Sequence, residues 1–445
     1  MNRERVGLPN QPRACAHLVM RGFAPALAAV LLAACQYLPA SISEVLEPIG
    51  ARTAPQSFVY DEHQDVVGEL AVIKVRRGDT APGIARHFGL GFDEIEAANP
   101  GIDMWLPQPG SRIVLPLRFN LPDAPRHGVV LNLASMRLFQ FSADSDNRIV
   151  YTYPIGIGRE GWSTPTGSMR IIEKKESPTW RVPASIRKEH ARNGDPLPAT
   201  VPPGPENPLG SHALRLSRPA YLLHGTNKPF GVGMRSSHGC VRLYPEHITE
   251  LYSRVATGTN VNIVDQPFLS GWRDNMLYVE AHPPLQTGDL ALQRHVSRLV
   301  KRLKKTAKQH PIQIDWDRVK RIVSQQRGIP EPVLEGAPHL NMELDTVPQV
   351  WHPLWLAGTP KRPRQRRDAW YVQTESFHAL SNAQRLSVVL NHEGPPIPAR
   401  WVATDTAYHV IVGPFDDEST AQNIARRIKR EYEFNGTIVH GRNLP

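Results

Sequence analysis

A short apolar run near the N-terminus most constrains what this chain can become. Residues 23–34 (FAPALAAVLLAA) are 12 uncharged apolar residues, and Arg21 precedes them. A helix that spans a bilayer needs about 20 such residues, but this length fits the apolar core of a secretory signal that follows a positive segment. No run elsewhere reaches about 18 apolar residues, which excludes a polytopic membrane protein. We therefore expect an exported chain that starts at Met1 or at Met20 and loses residues 1–34.

The cysteines sharpen this expectation. Residues 32–35 (Leu-Ala-Ala-Cys) directly follow the apolar run and resemble the bacterial lipobox. The resemblance implies that Cys35 is lipidated and anchors the chain, and Gln36 after it favours the outer membrane. Cleavage also removes Cys15, so Cys240 is left as a thiol without a disulfide partner. An odd cysteine in an oxidising compartment is a liability unless its thiolate is used.

Length and composition predict several modest domains joined by proline-rich segments. The chain has 445 residues and 42 prolines, which suggests about three domains. With 52 Lys and Arg against 42 Asp and Glu, it should bind polyanions. Export favours an anionic cell envelope over nucleic acid. We predict the following segments: signal peptide 1–34, tether 35–70, a small unit 71–117, a strand-rich unit 127–266, its extension 267–335, a proline-rich basic linker 336–368, and a last unit 369–441.

The small unit resembles a LysM module. Residues 71–75 and 110–116 are typical of strands, and two short helical patterns lie between them, with Ile84 and Ala85 on one face of the first. The resemblance implies a βααβ fold that binds glycans containing N-acetylglucosamine. It assigns the sugar groove to two loops, which contain the residues Gly78, Asp79, Thr80, Asn99 and Pro100. A packing domain without a ligand is the alternative.

The last unit resembles a SPOR domain. Its pattern predicts the order βαββαβ, with apolar stripes such as Ala383, Leu386 and Leu390 on one helix. Tyr371 and Val372 are among the residues that carry the resemblance. It implies binding to peptidoglycan strands that lack stem peptides, and enrichment at the division septum. A sheet that binds RNA is the alternative for such a fold.

The strand-rich unit should hold most of the β-structure. Val129, Leu131 and Leu133 alternate as in a half-buried strand. Residues 183–208 are too rich in proline for a core and should form a lid. In the extension, residues 291–305 predict a basic amphipathic helix. The complete chain is thus expected to be a multidomain α+β protein.

Cys240 lies among residues that suit acyl transfer. His224 ends an apolar strand, a glycine-rich loop follows, and Ser237, His238 and Gly239 lead directly to Cys240. A nearby histidine can activate a thiol, and backbone N–H groups in a tight turn can stabilise an oxyanion. Three alternatives compete: a buried small hydrophobe with ordinary histidines, a zinc site, and a redox thiol. The zinc alternative lacks a fourth nearby ligand, and the redox alternative lacks a resolving cysteine.

This constellation resembles the signature of the L,D-transpeptidase (YkuD-domain) family. The resemblance rests on His224, Gly225 and Thr226, on residues 237–241, and on further positions between about 128 and 283. It implies acyl transfer on peptidoglycan stem peptides, without a metal or cofactor. The thiolate attacks the carbonyl of the L-centre in the bond between meso-diaminopimelate and D-alanine, D-alanine leaves, and an amine resolves the thioester. The product is a 3→3 cross-link or a bond to a lipoprotein lysine.

The resemblance also implies roles for single residues. Cys240 is the nucleophile and His224 the general base, oriented by the carbonyl of Gly225; the alternative base is His238, which otherwise positions the substrate. The turn that begins at Ser237 would direct the amides of Gly239 and Cys240 towards the oxyanion. Residues expected to bind the carboxylates of the stem or to cover the site are Arg242, Arg235 and Trp180.

Two further functions stay open. Water could resolve the thioester, which would make the chain a carboxypeptidase or an endopeptidase with the same cysteine. A scaffold that binds the wall without catalysis is the alternative from a different class of protein.

Overall fold

The computed structural model describes residues 56–142, 148–192, 196–360 and 363–444. The predicted signal and Cys35 lie outside the described residues, within which no helix is long and apolar enough to span a bilayer. The elements of the N-terminal part are β1 Gln56–Val59, β2 Val66–Gly68, β3 Ala71–Lys74, α1 Ala81–His87, α2 Phe92–Ala98, β4 Arg112–Leu115 and β5 Arg118–Asn120.

Strands β3 and β4 and the two helices between them form the predicted βααβ unit. The strands pair antiparallel, with Ala71 opposite Leu115. Helix α1 begins where the Thr80 side chain accepts a hydrogen bond from the Gly83 amide at 2.9 Å, which satisfies one free donor of the first turn. Ile84 and Ile95 from the two helices are completely buried together with Ile113. The predicted LysM fold is confirmed.

The predicted tether is shorter than the sequence suggested. The chain is not a free segment up to residue 70. Strand β1 pairs with the strand at residues 149–154 of the strand-rich unit, with Gln56 opposite Thr152, and β2 pairs with β5. An edge strand offers unpaired N–H and C=O groups that another strand can satisfy. Nothing in the sequence of residues 56–59 (Gln-Ser-Phe-Val) indicates this long-range pairing.

The strand-rich unit is built on one large sheet. Its elements are β6 Gly128–Asn132, β7 Arg137–Phe141, β8 Ile149–Pro154, β9 Ile157–Gly158, β10 Gly167–Glu176, β11 Trp180–Arg181, α3 Ala184–Arg192, β12 Thr200–Val201, β13 His212–Leu216, β14 Leu222–His224, β15 Arg235–Ser237, β16 Val241–Arg242, α4 Pro245–Arg254 and β17 Asn260–Val264. The nine-stranded sheet has the order β1-β8-β7-β6-β17-β10-β13-β14-β16. The mainly-β character predicted for this unit is confirmed.

Both faces of this sheet are covered near β6 and β7. Val130 and Phe139 pack into the core of the LysM unit, whereas Val129 and Leu131 pack into the core of the strand-rich unit. Successive side chains of a strand point to opposite faces, so these neighbouring residues join two domains. The LysM unit is therefore packed on the catalytic sheet.

A buried ion pair joins the same two units. Arg137, at the start of β7, donates to both carboxylate oxygens of Glu94 in α2, with Nη2 distances of 2.8 and 2.6 Å. Its side chain is 1% exposed, and that of Glu94 is 11% exposed. The guanidinium also lies 4.1 Å from the centroid of the Phe119 ring. Both charges are shielded from water, so each needs the other as its partner. The pair therefore helps to fix the orientation of the LysM unit on the sheet.

The extension forms a separate layer beside the sheet. Its elements are β18 Phe268–Arg273, β19 Met276–Ala281, α5 Asp289–Gln309, α6 Trp316–Gln325, β20 Glu331–Pro332 and α7 Leu340–Thr346. Helix α5 is longer than the predicted 291–305. Its apolar residues Leu299 and Leu303 pack against Phe268 and Val279, as an amphipathic helix should.

Two segments interpreted as irregular contain helices. The proposed lid, 183–208, includes α3, and the proposed linker, 336–368, includes α7. The linker is also docked, because the Val350 amide donates to the Val72 carbonyl at 2.8 Å and thereby extends the small LysM sheet. Proline content indicated breaks in the chain, but it could not show where the pieces between the breaks pack.

The last unit has the predicted order βαββαβ. Its elements are β21 Trp370–Thr374, α8 Leu380–His392, β22 Ala399–Ala403, β23 Tyr408–Phe415, α9 Glu418–Tyr432 and β24 Gly436–His440. The sheet order is β22-β23-β21-β24. Ala383 and Leu386 from α8 pack with Ala421 and Ile428 from α9 over this sheet. The predicted SPOR fold is confirmed.

Candidate active site

The end of the large sheet brings His224 and Cys240 to the same region. Strands β14 and β16 pair in parallel, with Leu223 opposite Val241 and His224 opposite Arg242. Both Leu223 and Val241 are buried and fix this register. Cys240 directly precedes β16, so it lies beside β14, near Leu222. A spacing of 16 residues in sequence thus becomes a contact between adjacent strands.

The turn before Cys240 is held by a chain of hydrogen bonds. Gly239 has φ +103°, a backbone conformation that favours glycine. The Ser237 hydroxyl donates to the Cys240 carbonyl at 2.5 Å. Thr164 donates to the Gly239 carbonyl at 2.9 Å and accepts from the Gly158 amide at 3.0 Å. Thr164 thus supports the nucleophile turn, a role that its position 76 residues before Cys240 in sequence did not indicate.

One part of the predicted oxyanion hole needs correction. The Gly239 amide donates to the Ser237 hydroxyl at 3.1 Å and is therefore occupied. A side chain that contacts its own turn in this way competes with a ligand for the amide. The amide of Cys240 remains the candidate donor.

His224 is oriented as a base should be. It is buried at the end of β14, and its Nδ1 lies 2.6 Å from the Gly225 carbonyl. The carbonyl can only accept, so Nδ1 carries the proton and Nε2 keeps its lone pair. Burial, aided by the positive charge of Arg242, lowers the pKa of His224 to about 3. The imidazole is therefore neutral at neutral pH.

Cys240 is held as a thiol. Burial raises its pKa above the ordinary value, although a hydrogen bond from the Leu222 backbone and the charge of Arg242 oppose the shift. The sulfur lies 3.5 Å from the Ala220 carbonyl, to which it donates. Within the described part of the chain no hydrogen bond joins Cys240 to His224. The arrangement is thus a neutral thiol beside a neutral imidazole, rather than a preformed ion pair.

His238 belongs to a different cluster. Its Nε2 lies 3.2 Å from Glu189 Oε2 and 3.2 Å from Arg159 Nη2, and its ring meets that of Trp162 edge to face at 5.0 Å. Glu189 lies in α3, within the segment interpreted as a lid. Burial lowers the pKa of His238, although Glu189 opposes the shift. His238 therefore connects the nucleophile turn to the lid, a partnership that sequence separation concealed.

The predicted substrate-binding residues lie at different distances from the turn. Arg242 follows Cys240 by two residues, and its Nη1 lies 3.4 Å from the Ser236 hydroxyl; its buried Nε has no hydrogen-bond partner among the described residues. Arg235 begins β15 and donates to the Leu285 carbonyl at 3.1 Å. Trp180 lies in the β11–β12 ribbon, opposite Val201. Arg242 is the one that faces both His224 and Cys240 electrostatically.

The predicted sugar groove of the LysM unit is partly occupied by structural contacts. Asn99 is buried and bonds the backbone of Val114 in both directions, at 2.7 and 2.9 Å. Thr80 caps α1, and Asp79 pairs with His352 of the linker at 2.8 Å. Gly78 and Pro100, the other two predicted residues, are exposed. The polar side chains of Thr80, Asp79 and Asn99 here stabilise the fold, a role that the sequence cannot distinguish from sugar binding.

No group of three or more His, Cys, Asp or Glu side chains within the described ranges could hold a metal ion. The zinc alternative therefore has no support from residues near Cys240. The chemistry that this region can perform depends on the thiol, the imidazole and the amides of the turn.

Profiles of three known domain families match the chain. The L,D-transpeptidase catalytic domain matches residues 126–263, the SPOR domain residues 367–439 and the LysM domain residues 73–116. The resemblances to the LysM, SPOR and L,D-transpeptidase families are confirmed, whereas the resemblance of residues 32–35 to a lipobox stays a prediction.

Complete relatives extend the comparison. A probable L,D-transpeptidase ErfK/SrfK of Salmonella typhimurium is 36% identical over 285 residues, which span 63% of this chain and 91% of the relative. The probable L,D-transpeptidase YbiS of Escherichia coli is 41% identical over 226 residues, or 50% of this chain and 73% of the relative. Among solved structures, the catalytic domain of an Enterococcus faecium L,D-transpeptidase is 20% identical, with a TM-score of 0.24, and covers 32% of this chain and 99% of that one. The extent of the Salmonella match, together with the profile over the strand-rich unit, shows that the chain belongs to the L,D-transpeptidase family.

Proposed function

We propose that this chain is a peptidoglycan L,D-transpeptidase that works by cysteine acyl transfer. The observation that carries the proposal is the position of Cys240 beside the strand that ends in His224, with the Nδ1 proton of that histidine directed to the Gly225 carbonyl. This leaves Nε2 unprotonated at the end of β14, the strand beside Cys240, and an unprotonated ring nitrogen is what a general base requires. Family membership supplies the substrate class, the stem peptide of the cell wall.

In the first half-reaction, the thiol proton passes to Nε2 of His224 while sulfur attacks the carbonyl that links meso-diaminopimelate to D-alanine. The resulting oxyanion is stabilised by the Cys240 amide and by the nearby charge of Arg242. The tetrahedral intermediate then expels the amine of D-alanine, which takes the proton from His224. A thioester remains on Cys240, and His224 is neutral again.

In the second half-reaction, an acceptor amine attacks the thioester, and His224 takes a proton from that amine. Collapse of the intermediate releases the thiolate, which recovers the proton. The product is a 3→3 cross-link when the amine belongs to a second stem, or an anchored lipoprotein when it belongs to a lysine. Removal of water from the acceptor side favours transfer over hydrolysis, and the segment 183–192, tied to His238 through Glu189, is the cover that we assign to this task.

The two other modules hold the enzyme on its polymer. LysM and SPOR domains bind peptidoglycan, so a cell-envelope location follows. Binding of the wall by either module raises the local concentration of stems without new catalytic contacts. We propose further that SPOR enriches the enzyme at the septum, and that lipidated Cys35 anchors it in the periplasm, at the outer membrane.

The test uses residues 36–445 and purified disaccharide-tetrapeptide, with mass spectrometry of the products. A dimer that has lost one D-alanine should form with the wild type and disappear in Cys240→Ala and His224→Gln. His238→Gln is the matched histidine control: it should keep Cys240-dependent release of D-alanine, because its ring contacts the lid rather than the nucleophile, and it should shift the products from dimer towards tripeptide, because the lid loses its contact through Glu189.

Two results would contradict the proposal in different ways. If only tripeptide forms and no dimer appears, even when every acceptor including a lipoprotein lysine is offered, the chain is a carboxypeptidase. Absence of any Cys240-dependent product would favour a scaffold that binds the wall.

A further inference from the structure

A large cavity lies beside the nucleophile turn but does not include Cys240. Its volume is about 850 Å³, and it opens between the end of β17, the segment 163–166 and one face of α5. The helix that forms its outer wall is the basic amphipathic helix of the extension.

The lining of the cavity is strongly positive. Arg294, Arg298 and Arg302 follow one another at intervals of four along α5, and Arg235 contributes from β15. Residues at this spacing share one face of a helix. Asp265 is the one acidic residue among those that line the cavity. The wall therefore carries four guanidinium groups and one carboxylate.

Much of this hydrogen-bonding capacity is unused. Arg298 makes neither a hydrogen bond nor an ion pair with any described residue, and Arg294 donates only to the Leu290 carbonyl of its own helix, at 3.3 Å. Arg302 pairs with Asp123 at 3.0 Å. The buried atoms Arg235 Nε and Asp265 Oδ1 both lack partners within the described residues. Unpartnered polar groups in a cavity wall suit a polar ligand.

The basic face cannot turn away from the cavity. Leu299 and Leu303, on the inner side of α5, are almost completely buried against β18 and β19. Rotation of the helix would expose this apolar surface to water, at a cost of about 25 cal/mol for each Å². The helix thus presents its basic face to the cavity before any ligand binds.

The cavity and the nucleophile turn share a wall. Thr164, which lines the cavity, donates to the Gly239 carbonyl at 2.9 Å. Gly158, also in the lining, approaches Gly239 so closely that an added Cβ would lie 3.0 Å from its Cα. Arg235 begins the strand that ends at Ser237. A ligand in the cavity would therefore lie one layer of backbone away from the thioester.

We propose that this arginine-lined cavity binds the acidic stem peptide of the acceptor strand, and so selects the amine that attacks the thioester. The inference rests on the proposed transpeptidase function. Guanidinium groups match carboxylates in shape and charge, and stem peptides carry carboxylates on glutamate and diaminopimelate. The donor carbonyl must enter on the side of His224 and Arg242, so the far side of the 158–166 segment is left for the acceptor.

The test uses the full-length protein with Arg294→Gln and Arg298→Gln combined. The control combines Lys304→Gln and Lys308→Gln, which remove the same charge from the same helix at residues that do not line the cavity. Release of D-alanine reports acylation by the donor, and the yield of dimer at limiting acceptor reports the second half-reaction. We expect dimer formation to fall at least tenfold in the arginine variant, with the first-turnover burst of D-alanine, one molecule for each enzyme, unchanged and the control unaffected.

Direct binding provides a second readout. Free tripeptide stem is titrated into full-length Cys240→Ala by calorimetry, with the same stem amidated at its side carboxylates for comparison. Binding should weaken at least tenfold on amidation and in the arginine variant. Unchanged dimer yield and unchanged affinity would overturn the proposal, as would an equal loss in the lysine control or a loss confined to D-alanine release. If the wild type releases no D-alanine through Cys240, the transpeptidase function itself fails, a result that the calorimetry keeps separate.

Discussion

The charge state of Cys240 leads to a prediction that separates two mechanisms. Burial raises the pKa of the thiol above its ordinary value of 9.0, whereas burial lowers the pKa of His224 to about 3. At pH 7 such a thiol is less than about 1% ionised. Transfer of its proton to the isolated imidazole would be uphill by roughly six pKa units, or about 8 kcal/mol.

Attraction between the two ions recovers only part of this cost. Unit charges about 4 Å apart attract by roughly 4 kcal/mol at an effective dielectric constant near 20. A resting thiolate–imidazolium pair therefore lies above the neutral pair in free energy, by an amount on the order of a few kcal/mol. Deprotonation must accompany attack on the substrate, when negative charge moves on to the carbonyl oxygen.

Alkylation by iodoacetamide measures the thiolate directly. Residues 36–445 are suitable because Cys240 is the only cysteine among them. We expect the rate to rise about tenfold for each pH unit from 5 to about 9, without a plateau. His224→Gln should leave this profile nearly unchanged while it abolishes acyl transfer. A plateau below pH 8, or a drop of more than tenfold at pH 7 in His224→Gln, would refute the reasoning, because either result requires an ion pair in the resting enzyme.

Three more predictions concern supports of the site. Glu94→Gln should lower the free energy of unfolding by about 3–5 kcal/mol, measured from urea transitions, because Arg137 would stay buried without its counter-ion; the exposed ion-pair variant Glu62→Gln is the control and should not shift the transition. Thr164→Val should lower kcat for D-alanine release and leave KM nearly unchanged, because the Gly239 carbonyl in the nucleophile turn loses its donor. A rise of KM with an unchanged kcat would contradict that role. Below pH 6.5 the unfolded state binds protons that His224 and His247, with pKa values of about 3 and 4 through burial, do not bind in the folded state. These two histidines should together lower stability by about 2.7 kcal/mol for each pH unit between pH 6 and 5, and Asp93, whose pKa burial raises to about 6, acts in the opposite direction. The slope of stability against pH should therefore be about 1.4 kcal/mol per pH unit smaller in His247→Gln than in the wild type.

The sequence predicted what local patterns determine. The turn at 237–240 needs a residue with positive φ at position 239, and glycine adopts that conformation readily. Ser237, His238 and Gly239 before Cys240 therefore predict a nucleophile turn from local sequence alone. The βααβ and βαββαβ orders followed from strand alternation and helical stripes, which depend on residues a few positions apart.

Partnerships between distant residues could not be predicted in this way. Glu189 binds His238 across 49 residues, and residues 56–59 pair with a strand almost 100 residues away. A polar side chain looks the same in sequence whether it caps a helix, binds a sugar or joins two domains. Asn99 illustrates this, because its side-chain amide bonds Ile95 of α2 and Val114 of β4.

The packing between modules changes what the wall-binding domains can do. Arg137 and Glu94 fix LysM to the sheet, and Trp105 of that unit stacks on Phe230 in the loop after His224, with ring centroids 5.1 Å apart. The same tryptophan lies 6.3 Å from the ring of His392 in the SPOR unit. Modules on flexible linkers would sample many distances from the active site, and their contribution would depend on linker length. The two modules instead pack around the loop after His224. We therefore expect each bound glycan to lie at a set distance from Cys240, so that the geometry of the wall selects which stems the enzyme can reach.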